Sequence, residues 1–331
     1  MQAPEDDAVP YAGLDPDTVL DAVEALGYAV SGHQLALNSY ENRVYQIGLD
    51  DGGYLVAKFY RPGRWTDAAI REEHAFAAEL VEAEIPVVAP LADAAGETLH
   101  LHEGYRYALF PRRGGRAPDL ENADVRERLG RFLGRIHAVG RARPFVHRPV
   151  LDVERYGERS VAYLLGADVL PGHLEVAYRT LTADLLEQIR AAWDRGAGAP
   201  RLRLHGDCHP GNILWTDAGP HFVDLDDCRT GPAIQDLWMM LSGDRRERAI
   251  QLGDILLGYE DFMDLDPREL YLVEALRTLR MLRYAAWIAR RWADPAFPRA
   301  FPWFGSDRYW EEHILALREQ AAALAEPPLP I

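Results

Sequence analysis

The sequence predicts an α+β protein of two lobes, a small strand-rich one first and a larger, mostly helical one after it. Runs rich in β-branched and aromatic residues, Arg43–Leu49, Tyr54–Tyr60 and Tyr105–Phe110, fall within the first third of the chain. Beyond them apolar residues recur at helical spacing, as in Leu129, Phe132, Leu133 and Ile136. The length of 331 residues suits two packed units of about 150 residues each. The breaker-rich stretch Pro111-Arg112-Arg113-Gly114-Gly115 is the expected divide, giving lobes 1–111 and 112–331.

A first helix is expected from Pro16 to Gly27, with Leu20, Val23 and Leu26 on one face. The strands 43–49 and 54–60 are joined by Asp50-Asp51-Gly52-Gly53, a strong hairpin signal. Thr66 caps a helix running to about Glu84, which Ile85-Pro86 ends. In the second lobe a compact non-helical insert, Arg201 to Cys228, interrupts the helices with strand, loop, strand, turn and strand. A long helical stretch follows from about Glu269 to Trp292. Residues 1–12 and 326–331 are polar or proline-rich and read as loose ends.

Composition narrows the function classes. Apolar residues at 48% and charged residues at 27% are ordinary globular usage, and a chain this long buries a large core without disulfides. Cys208 and Cys228 are too few for a disulfide scaffold and lack a zinc-type pairing. Lysine and arginine total 36 against 52 acidic residues, a net charge of −16 with a pI near 5.1. That excess repels phosphate surfaces, so a general nucleic-acid or anionic-membrane binder is excluded. If the chain handles phosphates, it does so in a local site, with a metal. The acidic start, Met1 to Pro10, has no apolar leader, and no apolar run reaches about 18 residues. A soluble cytoplasmic protein is expected.

The chemistry concentrates in the insert, His205-Gly206-Asp207-Cys208-His209-Pro210-Gly211-Asn212-Ile213-Leu214-Trp215, followed by His221-Phe222-Val223-Asp224-Leu225-Asp226. Strands 213–215 and 221–223 flank a five-residue turn. A hairpin symmetric about Ala218 sets Asn212 opposite Asp224, with Cβ atoms about 5 Å apart. An amide oxygen and a carboxylate so placed can share one hard cation, and Mg²⁺ prefers such ligands plus substrate phosphates. Asp207 stands five residues before Asn212 on a loop held by Gly206, Pro210 and Gly211, where a carboxylate can accept a hydroxyl proton. His-x-Asp-x-x-x-x-Asn followed by a metal-type Asp is the spacing of the phosphoryl-transfer loop of kinases. Two other readings stay open: Asp207 and Asn212 as turn residues, and His205, Asp207 and His209 as ligands of a hydrolase metal. Cys208 reads as a bystander, with no cluster around it to stabilise a thiolate.

A second clue lies upstream. On the helix from Thr66, Ile70, Phe76, Ala77, Leu80 and Val81 form one apolar stripe with Glu73 in its middle. A carboxylate facing a core is costly unless paired, and Lys58 on the preceding strand is the natural partner. A lysine oriented by a helix glutamate is how kinases grip the phosphates of ATP; the alternative is a purely structural ion pair. Ser39, in Leu37-Asn38-Ser39-Tyr40-Glu41-Asn42-Arg43, can offer its hydroxyl and backbone N–H to a phosphate, or serve as an ordinary turn residue. Asp236, amid Ile234, Leu237 and Met240, also needs a partner, for which the backbone N–H groups of the 205–207 loop are suited.

These motifs, with Phe222-Val223-Asp224-Leu225-Asp226-Asp227, Lys58-Phe59-Tyr60-Arg61-Pro62 and Arg291-Trp292-Ala293-Asp294-Pro295-Ala296-Phe297-Pro298, resemble the bacterial stress response kinase A family over nearly the whole chain. The resemblance implies the bilobal protein-kinase-like fold shared with aminoglycoside phosphotransferases and choline kinases. It implies an ATP- and Mg²⁺-dependent serine/threonine protein kinase, monomeric and cytoplasmic, acting in stress survival and able to phosphorylate itself. By the same resemblance Asp207 is the proton acceptor, Asn212 and Asp224 bind Mg²⁺, and Ser39 contacts ATP. Lys58 and Glu73 become the phosphate-orienting pair, and Phe110 lies in the hinge beside the adenine.

The sequence departs from the protein-kinase pattern in three places. His205-Gly206-Asp207 replaces His-Arg-Asp, Asp224-Leu225-Asp226 replaces Asp-Phe-Gly, and Asp236 comes only 12 positions after Asp224. That interval has no room for a long activation segment ordered by phosphorylation. Losing the usual peptide-docking platform keeps two rivals open: a small-molecule hydroxyl kinase of the choline, homoserine or aminoglycoside type, and a non-catalytic ATP-binding regulator.

Overall fold

A computed structural model describes residues 10–331. The helices in chain order are α1 (Pro16–Glu24), α2 (Asp67–Glu82), α3 (Ala123–Arg141), α4 (Arg159–Gly166), α5 (Gly172–Arg195), α6 (Ile234–Trp238), α7 (Arg245–Tyr259), α8 (Val273–Arg290), α9 (Ala296–Ala300) and α10 (Asp307–Ala325). The strands are β1 (Val30–Ala36), β2 (Arg43–Leu49), β3 (Tyr54–Phe59), β4 (His100–His102), β5 (Tyr105–Pro111), β6 (Leu202–Leu204), β7 (Ile213–Thr216), β8 (Gly219–Phe222) and β9 (Arg229–Gly231). Packing divides the chain into a unit of residues up to Arg116 plus Ile213–Asp226, and a second of Ala117–Asn212 plus Asp227–Ile331. Against the expected lobes 1–111 and 112–331, the first unit therefore also takes in the hairpin 213–226.

The first unit is built on an antiparallel sheet in the order β1-β2-β3-β5-β4. Strands β2 and β3 form the hairpin that the Asp50-Asp51-Gly52-Gly53 turn predicts, with Arg43 facing Phe59 and Gly48 facing Tyr54. Strand β1 was not legible: its polar residues and Gly32 break the alternation, and its register slips between Val30 and Gln34. Helix α1 starts where Asp15 accepts a hydrogen bond from the Thr18 N–H at 2.8 Å, and α2 where the Thr66 hydroxyl accepts from the Ala69 N–H at 3.2 Å. Ile70, Glu73, Phe76, Ala77 and Leu80 are buried along α2, as expected. Val81 is a correction: on the last turn of the helix, it is 46% exposed, while His74 is buried.

The β7–β8 hairpin joins this unit through backbone bonds. The Phe222 N–H donates to the Pro86 carbonyl (2.8 Å), the Val88 N–H to the Phe222 carbonyl (2.9 Å), and Arg116 and Trp215 exchange bonds of 3.0 and 2.7 Å. Its register is Ile213 to Phe222, Trp215 to Pro220 and Thr216 to Gly219. Gly219 and Pro220 belong to the strand, so the turn is the two residues Asp217-Ala218, the tight loop that suits paired antiparallel strands. The ladder is thus one residue out of step with symmetry about Ala218. The construction that set Asn212 opposite Asp224 does not hold.

The second unit is mostly helical. Helices α3 and α7 touch backbone to backbone: a Cβ on Gly130 would stand 1.9 Å from the Ile255 carbonyl oxygen, and one on Gly258 1.9 Å from that of Glu127. Leu129, Leu133, Ile136 and His137 point from α3 into the core. Strands β6 and β9 pair antiparallel, Leu202 facing Gly231. The stretch expected as one helix from Glu269 to Trp292 is a 3₁₀ turn over Pro267–Leu272 leading into α8. Among the described residues no helix is long and apolar enough to cross a membrane.

Candidate active site

In the first unit Lys58 comes from β3 and Glu73 from α2, and both are buried, at 6% and 3% exposure. The pairing demanded by a carboxylate in an apolar stripe exists, but it is loose: Lys58 Nζ stands 3.7 Å from Glu73 Oε1. Its shorter contact is to Asp224 Oδ1, at 2.9 Å, and Asp226 Oδ1 follows at 3.5 Å. Burial alone would strip the proton from this amine, yet Asp224, Asp226 and Glu73 together hold its pKa well above the ordinary lysine value.

Asp224 directly follows the β8 strand and Val223, with φ of +60°, a left-handed conformation that aspartate tolerates better than most side chains. Its side chain is 53% exposed, in contrast to the buried Asp226 two residues on. Asp226 Oδ2 accepts from Asn42 Nδ2 at 3.0 Å and from Arg64 Nη1. Asn42 Oδ1 in turn accepts from the Arg61 N–H at 3.1 Å. Asp226 therefore fastens the segment after Asp224 to the loops before β2 and after β3. Sequence reading missed this role; the one available signal was the second acid in Asp224-Leu225-Asp226, since Asn42 and Arg64 sit in loops without periodic pattern.

Ser39 lies in the loop before β2, where its hydroxyl donates to the Asn42 carbonyl at 3.2 Å. Phe110 is on β5 opposite Val56, with its ring edge-on to that of His74.

In the second unit, residues 205–212 follow β6. Asp236 on α6 is fully buried and takes the His205 and Gly206 backbone N–H groups on separate carboxylate oxygens, each at 2.8 Å. This is the partnership the sequence suggested. His137, on α3, adds a contact of 3.2 Å to Asp236 Oδ2 and is held from its other nitrogen by the Tyr259 hydroxyl at 2.9 Å. Burial would push the Asp236 carboxyl up, but these hydrogen bonds and the neighbouring histidines hold it below the usual carboxylate value.

Gly206 has φ of +85°, and a Cβ there would fall 2.3 Å from the Asp227 carbonyl oxygen. No larger residue fits, which is why glycine stands where protein kinases carry arginine. Asp207 is partly exposed, and its Oδ1 accepts from Arg280 Nη1, a residue of α8 that sequence reading did not single out. His209 Nε2 lies 3.6 Å from Asp207 Oδ2, while its Nδ1 accepts from the Gly211 N–H at 3.0 Å. Asn212 Nδ2 donates to the Asp207 carbonyl at 3.0 Å, and its amide oxygen has no protein partner among the described residues. Cys208 is wholly buried, and burial pushes its thiol up, the opposite of a reactive thiolate.

No group of three or more His, Cys, Asp or Glu able to hold a metal ion occurs among the described residues. What each unit by itself offers a cation is sparser and all oxygen: in the first, the second carboxylate oxygen of Asp224; in the second, the amide oxygen of Asn212. Oxygen donors of either kind fit a hard ion that takes its remaining ligands from water and phosphate.

A model of the phosphotransferase enzyme family matches residues 33–273. Stress response kinase A of Salmonella choleraesuis is 47% identical over 324 residues, 98% of each chain, and that of Escherichia coli K12 is 47% identical over 322 residues, 97% of each. A Salmonella typhimurium protein called serine/threonine protein kinase RdoA is 47% identical across 98% of each chain. Among solved structures, amicoumacin kinase hAmiN superposes with a TM-score of 0.72 at 17% identity over 95% of each chain. A microcompartment-associated aminopropanol kinase gives 0.65 at 18% identity, over 92% of this chain and 96% of that one. The fold is thus the aminoglycoside phosphotransferase and choline kinase-like one, and the molecule is a phosphotransferase of the kinase class. The chain belongs to the phosphotransferase enzyme family and, within it, to the stress response kinase A family.

Proposed function

We propose that this kinase transfers the γ-phosphoryl group of ATP, with Mg²⁺, to serine and threonine hydroxyls of proteins, its own included. The observation that carries the reading is the clamped loop of the second unit. Asp236 fixes two successive backbone N–H groups, at His205 and Gly206, immediately before the carboxylate of Asp207. A carboxylate held in this way keeps its orientation while a hydroxyl proton moves to it. The likeness to the Salmonella typhimurium protein called a serine/threonine protein kinase supports the choice of acceptor.

In this reading Asp207 accepts the proton of the attacking hydroxyl. Lys58, kept charged by its three carboxylates, holds the phosphates, with Glu73 setting the direction of its ammonium group. Asn212 and Asp224 supply oxygen ligands to Mg²⁺, which neutralises phosphate oxygens when bound. Ser39 contacts ATP and Phe110 flanks the adenine, within an ATP-binding lobe 1–111; lobe 112–331 carries the catalytic loop. The protein acts as a cytoplasmic monomer in stress survival.

The test is incubation with radiolabelled ATP, Mg²⁺ and a generic protein substrate, with amino alcohols, homoserine and aminoglycosides as parallel acceptors. Asp207→Asn and Asp224→Ala are expected to lower transfer by about 10²-fold or more. Normal turnover in purified Asp224→Ala would overturn the metal assignment. Transfer to small molecules alone would move the acceptor to that class, and nucleotide binding without transfer to anything would make the protein a regulator.

A further inference from the structure

Building on the serine/threonine reading, we propose that Arg277 and Arg280 of α8 form an acceptor-binding stripe that selects hydroxyls flanked by carboxylate groups. The two residues are three apart on one helix and so share a face. Arg280 Nη1 donates to Asp207 Oδ1, the carboxylate assigned to receive the acceptor proton. That is the only contact of its guanidinium with another protein group among the described residues, and its side chain is 43% exposed. Nε and Nη2 remain as donors to whatever approaches Asp207.

Arg277 is short of counter-charge. Its nearest carboxylate, Glu274, stands 3.9 Å away, beyond hydrogen-bond reach. Glu274 is already engaged by Arg248 at 2.5 Å and by Gln320 at 2.6 Å. The Arg277 guanidinium lies instead 5.7 Å from the centre of the Trp238 ring. Burial, with help from Arg248, holds it below the usual arginine value, and Glu274 offsets this only in part. In a chain of net charge −16, this face of α8 thus presents two arginines, one bonded only to Asp207 and one held loosely by its nearest carboxylate.

An acceptor carboxylate satisfies this arrangement twice. It takes the fork of Arg280 in paired charge-assisted bonds, and in doing so it releases Asp207 Oδ1 to meet the incoming hydroxyl. A cationic acceptor meets repulsion at the same place and leaves Arg280 on Asp207. Specificity and activation of the proton acceptor are then one event.

The test measures kcat/KM for three peptides that share one serine and differ only in flanking residues: Asp and Glu, Gln, or Lys. The wild-type chain should favour the acidic peptide over the lysine peptide by about tenfold or more. The double variant Arg277→Glu with Arg280→Glu should reverse that order, a gain that misfolding cannot produce. Equal rates on all three peptides, or a lysine preference, in the wild-type protein overturns the inference and leaves the serine/threonine reading standing. If no peptide is phosphorylated, a small hydroxy acid is compared with an amino alcohol. Preference for the acid keeps the anionic acceptor and removes the protein one; preference for the amino alcohol, or no transfer at all, overturns both. The wild-type ranking decides even where the reversed variant does not fold.

Discussion

Asp236 shows how one buried carboxylate can set the shape of a loop it does not belong to. It faces His205 N–H, Gly206 N–H and His137 at once, so its removal strands three polar groups where water cannot reach them. Asp236→Ala should cost about 3–5 kcal/mol of stability, read from the urea midpoint at neutral pH. The sign with pH follows from its depressed native pKa. The stabilisation is present above the unfolded carboxylate value and is lost as pH falls through the native value. The gap between wild type and variant should therefore narrow below about pH 4; a gap that widens on acidification would contradict the assignment. Glu73 and Asp236 were legible in the sequence because a charge amid apolar residues requires a partner, and Lys58 because it stands on the strand before Glu73 as that partner. Arg280, Arg64 and Asn42 were not, because a polar residue in a loop or on a half-exposed helix face carries no periodic mark of its long-range partner.

At the scale of elements, the 3₁₀ turn over Pro267–Leu272 holds the helix that carries Asp236. Glu269 is buried and its Oε2 accepts from the Ile234 N–H at 2.8 Å, at the start of α6. Burial pushes the Glu269 carboxyl up to about 7, against the ordinary 4.5, despite that bond. A raised native value means stability fully present below the unfolded value and lost as pH rises through the native one. Stability should therefore fall between about pH 4.5 and pH 7 by an amount of the order of 3 kcal/mol. Glu269→Gln keeps an acceptor for Ile234 and should flatten that slope in unfolding curves taken across the same range. Elements were readable where local chemistry was decisive: Asp50-Asp51-Gly52-Gly53 fixed the β2–β3 turn, and Thr66 the start of α2. The β7–β8 register was misread because Gly219 and Pro220 look like turn residues, while backbone pairing with Thr216 and Trp215 draws them into a strand.

Across the whole molecule, the short path from Asp224 to Asp236 bears on regulation. Residues 225–235 contain a single hydroxyl side chain, Thr230. Its backbone is fixed in β9, with its N–H on the Pro149 carbonyl at 3.0 Å and its own carbonyl taking the Leu151 N–H at 2.8 Å. A segment so pinned has no disordered state for a phosphate to order. Thr230→Ala should keep its transfer rate within about twofold of wild type, because this half-buried hydroxyl makes no hydrogen bond among the described residues; a collapse in initial rate would show a gate where none is expected. The placing of residues 213–226 in the first unit reaches further, into how the gene can be divided. Cutting after codon 116 yields a polypeptide deprived of the ribbon that bonds to Pro86, Val88 and Arg116, and with it of Asp224 and Asp226, two of the three acids that keep Lys58 charged. The two units of this enzyme are interlaced along the chain, so neither corresponds to one uninterrupted stretch of sequence or to a single cut in the gene.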